Sequence, residues 1–500
     1  MTARASAAPD DDATRVPRAE WIALAIVATG ALALRLLYIG QPMRNDEAYS
    51  YLYFALPSLR TAVSDYTVPN NHVFHTVLVW AATRLFGNSA AVIRLPALIA
   101  GVLCVPAAWM AAHALAGRGS AGRGAGLFAA CGVAVLPALL LYSTNARAYM
   151  LLCLATLLLV WIGERLLEAE SRALWLAVVG IGALGMWAAP VMLYPLGAVS
   201  LWLMLEHARM DGARATIRFL PRLAAAVAAI LALTALLYLP VLLRSGAAAL
   251  TQNRFVEPLT WSGLVAQRGE FARSLRELIG LGLNKLELLL ALLVALLGLF
   301  APLEGRARRM TLALATAAWC GALILATRRP PPARVLLFLA PLWCVYVGIG
   351  LSWLASRVRW PRVPVQAVTA VLLFALLATQ AVRSRAVLES EETDWIGMRD
   401  ARALATLIAS GAPGDRIIIN RSSSPPLDYY LYRLTGRRLA DFAGAQRRGR
   451  VLVVLDDRHG QTLQRLMPLH REVQWAALGH PALVARFPGA SVYALAARAP

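Results

Sequence analysis

The chain has 500 residues, 59% of them hydrophobic and only 15% charged, with a mean hydropathy of +0.58. Soluble domains carry roughly 25% charged residues, so a water-soluble globular class is excluded. The net charge of +21 does not indicate nucleic acid, because the arginines punctuate apolar runs instead of forming one basic face. Lys285 is the only lysine, and all five cysteines lie inside apolar runs without a CxxC motif or a nearby histidine cluster. They read as small buried hydrophobes, not disulfides or metal ligands.

Residues 1–18, with Asp10-Asp11-Asp12 and several alanines, read as a flexible cytoplasmic tail. Trp21 to Ile39 then opens the membrane region as an anchor, not as a cleaved signal peptide. Eleven apolar segments follow the expected spans 21–39, 90–116, 125–142, 148–168, 173–188, 190–207, 222–243, 284–302, 310–327, 333–354 and 363–381. Most approach the roughly 20 residues that a spanning helix needs. Residues 73–86 are apolar but only 14 long, which predicts a partial or re-entrant helix lining a cavity, or one of a few extra short spans. The whole is thus an α-helical polytopic membrane protein with about 11–13 transmembrane helices.

Just past the first span lies Asp46-Glu47, followed by Tyr49, Tyr51 and Tyr53. A carboxylate there can deprotonate a hydroxyl or amine, or hold a divalent cation; equally, Asn45 or Asp46 can open a helix through Tyr49–Leu56 as its N-cap. Downstream, Asn70, Asn71, His72 and His75 can bind sugar hydroxyls or steer an acceptor, with interfacial hydrogen bonding as the plainer reading. Two histidines three residues apart with no clear third ligand make a poor metal site. The turn Ser143-Thr144-Asn145-Ala146-Arg147-Ala148-Tyr149 puts an arginine at the membrane edge, where a phosphate would suit it and snorkelling to headgroups competes.

Loops holding Arg118/Arg123, Arg165/Arg172, Arg209/Arg214/Arg218/Arg222, Arg306/Arg308/Arg309 and Arg357/Arg359/Arg362 alternate with arginine-poor ones. Positive charge marks the cytoplasmic side. That places the Asp46 loop, the 143–147 turn, the 244–283 loop and the tail outside, in the cytoplasmic (inner) membrane. One outer loop breaks the trend: Arg328, Arg329 and Arg334 need an anionic headgroup or a pyrophosphate-like ligand. The loop 244–283, with Arg244, Gln252, Asn253, Arg254, Glu257 and Trp261, is long for a bundle connection and reads as a lid.

After residue 382 the pattern changes. Short β-like runs at Arg416–Asn420, Val451–Asp456, Glu472–Ala476 and Ser491–Ala496 alternate with amphipathic helical stretches at 399–410 and 460–470. Gly411–Gly414 and Pro425-Pro426 mark turns. The expected division is therefore the tail 1–18, a transmembrane domain 19–382 with outer loops 40–72 and 244–283, and an extracytoplasmic α/β domain 383–500. No nucleotide-binding glycine motif is present.

Taken in order, RNDEAYSY (44–51), PNNHVFHTVLVWAATRLFGNSAAVIRLPALIAG (69–101), STNARAYML (143–151) and ARVLLFLAPLWCVYVGIGLSWL (333–354), with Thr393-Asp394-Trp395 and Tyr429-Tyr430 later, make a set. It resembles the GT-C glycosyltransferases of the family 39 type, similar to protein O-mannosyltransferases and aminoarabinose–lipid A transferases. The resemblance implies the GT-C fold and inverting transfer from a polyprenyl-phosphate sugar to a glycan, lipid or protein acceptor. It places Asp46 as base with Glu47 beside it, and Arg147 and Arg334 against the donor phosphate, to which the charge of the same outer loop adds Arg328 and Arg329 as candidates. Independently of the resemblance, Asn71, His72, His75, Tyr49 and Tyr149 are the candidate substrate contacts. Two departures stand out: Val73 follows His72 where many members have proline, and Asn145 precedes Ala146-Arg147 where glutamate is common. The missing second carboxylate weakens the case for a divalent cation. The competing classes are a polyprenyl-lipid flippase, in which Asp46 is only a cap, and a non-catalytic lipid-binding scaffold.

Overall fold

The computed structural model describes residues 17–117, 120–251, 256–357, 363–383, 398–412, 414–420, 423–442, 449–471 and 473–496. Outside these lie nearly all of the expected tail, Arg118, Gln252 to Arg254, Arg359, Arg362, Thr393-Asp394-Trp395 and Glu472.

In chain order, the first helix α1 (Arg18–Tyr38) is followed by two short ones, α2 (Asn45–Ser50), continued by a π turn over Tyr51–Ala55, and α3 (Leu59–Ser64). Then come α4 (Val73–Phe86), α5 (Ala90–Ala116), α6 (Ser120–Val135), α7 (Pro137–Ser143), α8 (Tyr149–Glu168) and α9 (Arg172–Ala188). The rest are α10 (Leu193–Leu237), α11 (Leu239–Ser245), α12 (Ala248–Thr251), α13 (Trp261–Ile279), α14 (Lys285–Phe300), α15 (Arg306–Thr327), α16 (Leu339–Arg357) and α17 (Val363–Arg383).

Six helices are individually long and apolar enough to cross a membrane, and the bent pair α6–α7 makes a seventh. Adding α9, α14, α17 and the second half of α10 gives the eleven segments expected from sequence. This is a multi-pass membrane protein. The 14 residues Val73–Phe86 form the one short apolar helix anticipated there.

Two local devices shape the bundle. Gly212, with φ of 79°, interrupts α10, a backbone angle that glycine adopts freely. At α6–α7 the axis bends by 62°, because Pro137 has no N–H to continue the ladder. Arg35 of α1, fully buried, donates to the carbonyls of Val133 and Ala134 beside that bend, at 3.2 and 3.0 Å, and to Ser143 Oγ at 3.1 Å. An arginine inside the bundle thus satisfies the carbonyls beside the proline bend, and Gly101 leaves room for Ser143 against α5.

Four arginine-bearing loops meet at one end. Arg308 donates to Glu164 Oε2 at 2.6 Å, Arg209 pairs with Glu206, Arg309 donates to the Leu115 carbonyl, and Trp202 donates to the Arg308 carbonyl. All five cysteines are buried and free.

The carboxyl-terminal domain carries a sheet ordered β1 (Arg416–Ile419), β2 (Val451–Asp456), β4 (Ala490–Leu495), β3 (Ala482–Arg486). Strand β1 runs parallel to β2, whereas β4 is antiparallel to both neighbours. Three strands fall where the sequence placed them. The fourth differs: Trp475–Ala477 is a 3₁₀ turn, and the edge strand is β3, whose exposed ALVAR, set between Pro481 and Phe487, gave little alternation. The stretch 460–470 breaks into Leu463–Leu466 and a 3₁₀ turn with Pro468 in it. Pro425-Pro426 do not make a turn: they start the helix Ser424–Thr435, a position where a missing N–H costs nothing.

This domain does not stand apart. Its buried Met398, Leu404, Leu427, Tyr429, Leu452 and Val492 share one core with Met43, Ala48, Tyr51, Leu52, Val79, Ile93 and Ala146.

Candidate functional site

The site lies where α2, the loop before α4 and the turn between α7 and α8 converge. The N-cap of α2 is Arg44, not Asn45 or Asp46: the Arg44 N–H donates to Glu47 Oε1 at 2.8 Å. Glu47 thereby closes the amino end of the helix and turns into the protein, while Asp46 turns out. The Asp46 side chain is 37% exposed and lies 3.6 Å from Arg147 Nη2.

Arg147 is buried, at 5% exposure. It pairs closely with Asn70 Oδ1 and donates to the Asn70 carbonyl at 3.2 Å and to Ser50 Oγ at 3.4 Å. Burial lowers its affinity for a proton most strongly, but Asp46 and Tyr149 together outweigh that, so the guanidinium is held charged above its ordinary range. Asn70 also donates to the Asp46 carbonyl at 3.0 Å, tying the acid to the base through one amide side chain.

His72 accepts the Ala148 N–H at 2.9 Å through Nδ1, which fixes the neutral tautomer with its proton on Nε2. Burial pushes its pKa well below the ordinary value, and the charges of Arg147, His75 and Arg334 act the same way. Its ring meets Tyr149 edge-on at 5.3 Å. Tyr149 stands between two guanidinium groups: Arg147 lies over its ring at 5.9 Å, and Arg334 Nε donates to its hydroxyl at 3.2 Å. Two cations therefore flank one phenol at the rim of the bundle.

The other expected residues sit differently. Glu47 is fully buried, held by Arg94 of α5 through both carboxylate oxygens, and accepts the Ala146 N–H at 2.9 Å. Asn71 faces inward and donates to the carbonyls of Ala62 and Asp65. His75 is buried beside a small cavity shared with Glu47, Ser50, Thr76, Val79 and Ala146, and its Nε2 has no hydrogen-bond partner among the described residues. Tyr49 stacks on Tyr53 at 4.4 Å. Arg328 is exposed, caps α15 in the left-handed conformation, and its carbonyl accepts from Leu259. Arg329 precedes Pro330–Pro332, which with α13 border an open groove of about 340 Å³ lined by Glu257, Gln267, Glu270, Phe271 and Ser274. Helices α12 and α13 both lie within the long 244–283 loop.

Among the described residues no group of three or more His, Cys, Asp or Glu side chains is placed to hold a metal ion. His72 spends its acceptor nitrogen on a backbone N–H and does not offer it to a metal ion. Two partners were not foreseen. Asn70, not Asn71, touches Arg147; adjacent asparagines in a loop give no clue to which faces the site. Arg94 was legible in principle, since an arginine well inside an apolar run needs a buried partner.

No protein-family model matches the chain, and no curated protein matches it. Solved structures do. ArnT from Cupriavidus metallidurans in the apo state aligns with a TM-score of 0.61 at 14% identity, over 95% of this chain and 97% of that one. ArnT from the same organism bound to undecaprenyl phosphate gives 0.57 at 13% identity, over 96% and 98%. The apo oligosaccharyltransferase of Archaeoglobus fulgidus gives 0.50 at 14% identity, over 87% and 69%. The bundle, its short apolar helix and its carboxyl-terminal sheet domain together have the GT-C fold.

Proposed function

We propose that the chain is a membrane glycosyltransferase that moves a sugar from a polyprenyl-phosphate donor to an acceptor, with inversion, on the outer face of the cytoplasmic membrane. The observation that carries this reading is the half-exposed Asp46 carboxylate set 3.6 Å from the buried Arg147. The ArnT fold neighbour bound to undecaprenyl phosphate supports the donor class. Four arginine loops gathered at the opposite end of the bundle support the outward orientation of the site and of the carboxyl-terminal domain.

In this mechanism Asp46 takes the proton from an acceptor hydroxyl or amine as that atom attacks the anomeric carbon. The bond from that carbon to the phosphate oxygen breaks on the opposite face, and the polyprenyl phosphate leaves with the electron pair. Arg147 and Arg334, on either side of Tyr149, stabilise the charge that develops on the leaving phosphate. Arriving phosphate competes with Asp46 for Arg147, so donor binding releases the carboxylate to act as base. Asn70 and Ser50 keep the guanidinium in place during this exchange.

A positioned base contributes about 10²–10⁴-fold, so Asp46→Asn cuts transfer by that order in membranes supplied with lipid-linked sugars. Native mass spectrometry of wild type finds a polyprenyl phosphate or its glycosylated form, and Arg147→Ala loses it. Full activity in Asp46→Asn, or no isoprenoid on folded wild type that keeps other lipids, would defeat the reading in favour of a flippase or a scaffold.

A further inference from the structure

Glu47 was grouped with Asp46 as a candidate acid, yet its surroundings leave it no access to a substrate. Its carboxylate is fully buried and accepts from four sources: the Arg44 N–H, Arg94 Nε, Arg94 Nη2 and the Ala146 N–H. The first donor belongs to the turn that starts the Asp46 helix. The last belongs to the residue immediately before Arg147. One side chain is therefore bonded to the backbone on both sides of the 3.6 Å gap between Asp46 and Arg147.

Arg94 completes the clamp. Also fully buried, it donates to the Ile39 and Gln41 carbonyls at 2.7 Å and to the Pro42 carbonyl at 3.0 Å. The chain between α1 and α2 is thus fastened to α5 at the point where it delivers Asp46. Gln41 extends the tie, donating to the Thr144 carbonyl at 2.7 Å and to Thr144 Oγ1 at 2.9 Å. A buried ion pair is poor evidence of stability as such, and fixing a register is its best-attested use.

We propose that Glu47 and Arg94 are the positioning pair of this site, closed to substrate and fixing the separation of Asp46 from Arg147. The proposal rests on the reading above, in which Asp46 and Arg147 carry the transfer. The Glu47→Gln exchange leaves a carbonyl oxygen for Arg94 but loses the second acceptor that holds Ala146. The Arg94→Lys exchange loses the fork that spans the carboxylate and three carbonyls.

The test compares Glu47→Gln and Arg94→Lys with wild type in two measurements on the purified full chain. Hydrogen exchange in the peptide spanning 143–148 reads the tether directly and needs no activity; both variants lose protection there while strand β2 keeps its own. In transfer assays both variants lose turnover by up to about 100-fold, the cost of roughly 1 Å of misplacement. The acid limb of the pH–rate profile stays where wild type has it, and donor lipid is retained in native mass spectra. A shifted or missing acid limb in Glu47→Gln would make Glu47 the reacting acid and overturn the proposal. Unchanged protection of 143–148 in both variants would overturn it as well. Asp46→Asn is assayed alongside: if it keeps full transfer, the functional reading fails, and the exchange measurement alone decides the tether.

Discussion

His72 shows how a single side chain can serve this site without reacting. Its Nδ1 must stay unprotonated to accept the Ala148 N–H, and the fold holds its pKa well below the unfolded value of about 6.5. The neutral form is favoured in the folded state, so the stability it contributes is complete above about pH 6.5 and drains away as pH falls below that. Wild type therefore loses melting temperature between about pH 7 and pH 5 more steeply than His72→Asn, whose amide oxygen can accept the same N–H without titrating; melts in detergent across that range check this, and parallel slopes would refute it. Sequence could pick out His72, Arg147 and Asp46 because charged and polar residues at a membrane edge are few. It could not separate Asn70 from Asn71, or Asp46 from Glu47, since neighbours in a loop differ only by the direction they face, and tertiary packing decides that.

At the scale of elements, the apolar helices were legible in number and place because length and hydropathy define them, and Val73–Phe86 announced itself by being too short; their ends were not, as where 190–207 and 222–243 run on as one helix kinked at Gly212. The carboxyl-terminal domain was harder. Its helix Ser424–Thr435 opens with two prolines, which read as a turn until one sees that the first helical turn needs no N–H. That helix carries the contact between the two domains. Tyr430 Oη accepts the Met43 N–H at 3.2 Å, Tyr429 donates to the Asn88 carbonyl at 3.0 Å, and Arg438 holds Asp428 while lying 4.9 Å over the Tyr53 ring. Tyr430→Phe strands a buried N–H next to the loop that delivers Asp46, at a cost of about 1–3 kcal/mol. The expected result is a lower melting temperature with faster hydrogen exchange over 43–56 and unaltered exchange in β2; uniform loss of protection through the whole domain would contradict a local contact.

For the whole molecule, the arrangement of arginines gives the orientation to be tested. A cysteine at Arg214 is expected to react with a membrane-impermeant maleimide only after the cells are permeabilised, and one at Arg268 of α13 to react in intact cells. The five native cysteines are buried and leave a quiet background. The reverse pattern would turn the molecule over and remove the site from the outer face. Sequence revealed the membrane class and the alternation of charge, both of which are averages over many residues. It did not reveal that the sheet domain and the Asp46 helix are built around one core, because that joins residues more than 340 positions apart, as in Tyr429 to Asn88.

That shared core has a consequence for how the protein is made. Met43 and Tyr430 are separated by 387 residues, so the segment bearing Asp46 emerges first and waits for partners synthesised hundreds of residues later. Contacts this distant in sequence form late, after the cost of closing the intervening chain has been met. Every earlier stage of synthesis leaves the helix of Asp46 held by Arg94 and Ala146 but without the carboxyl-terminal half of its core. The packing around that helix is complete only once the sheet domain has docked on it.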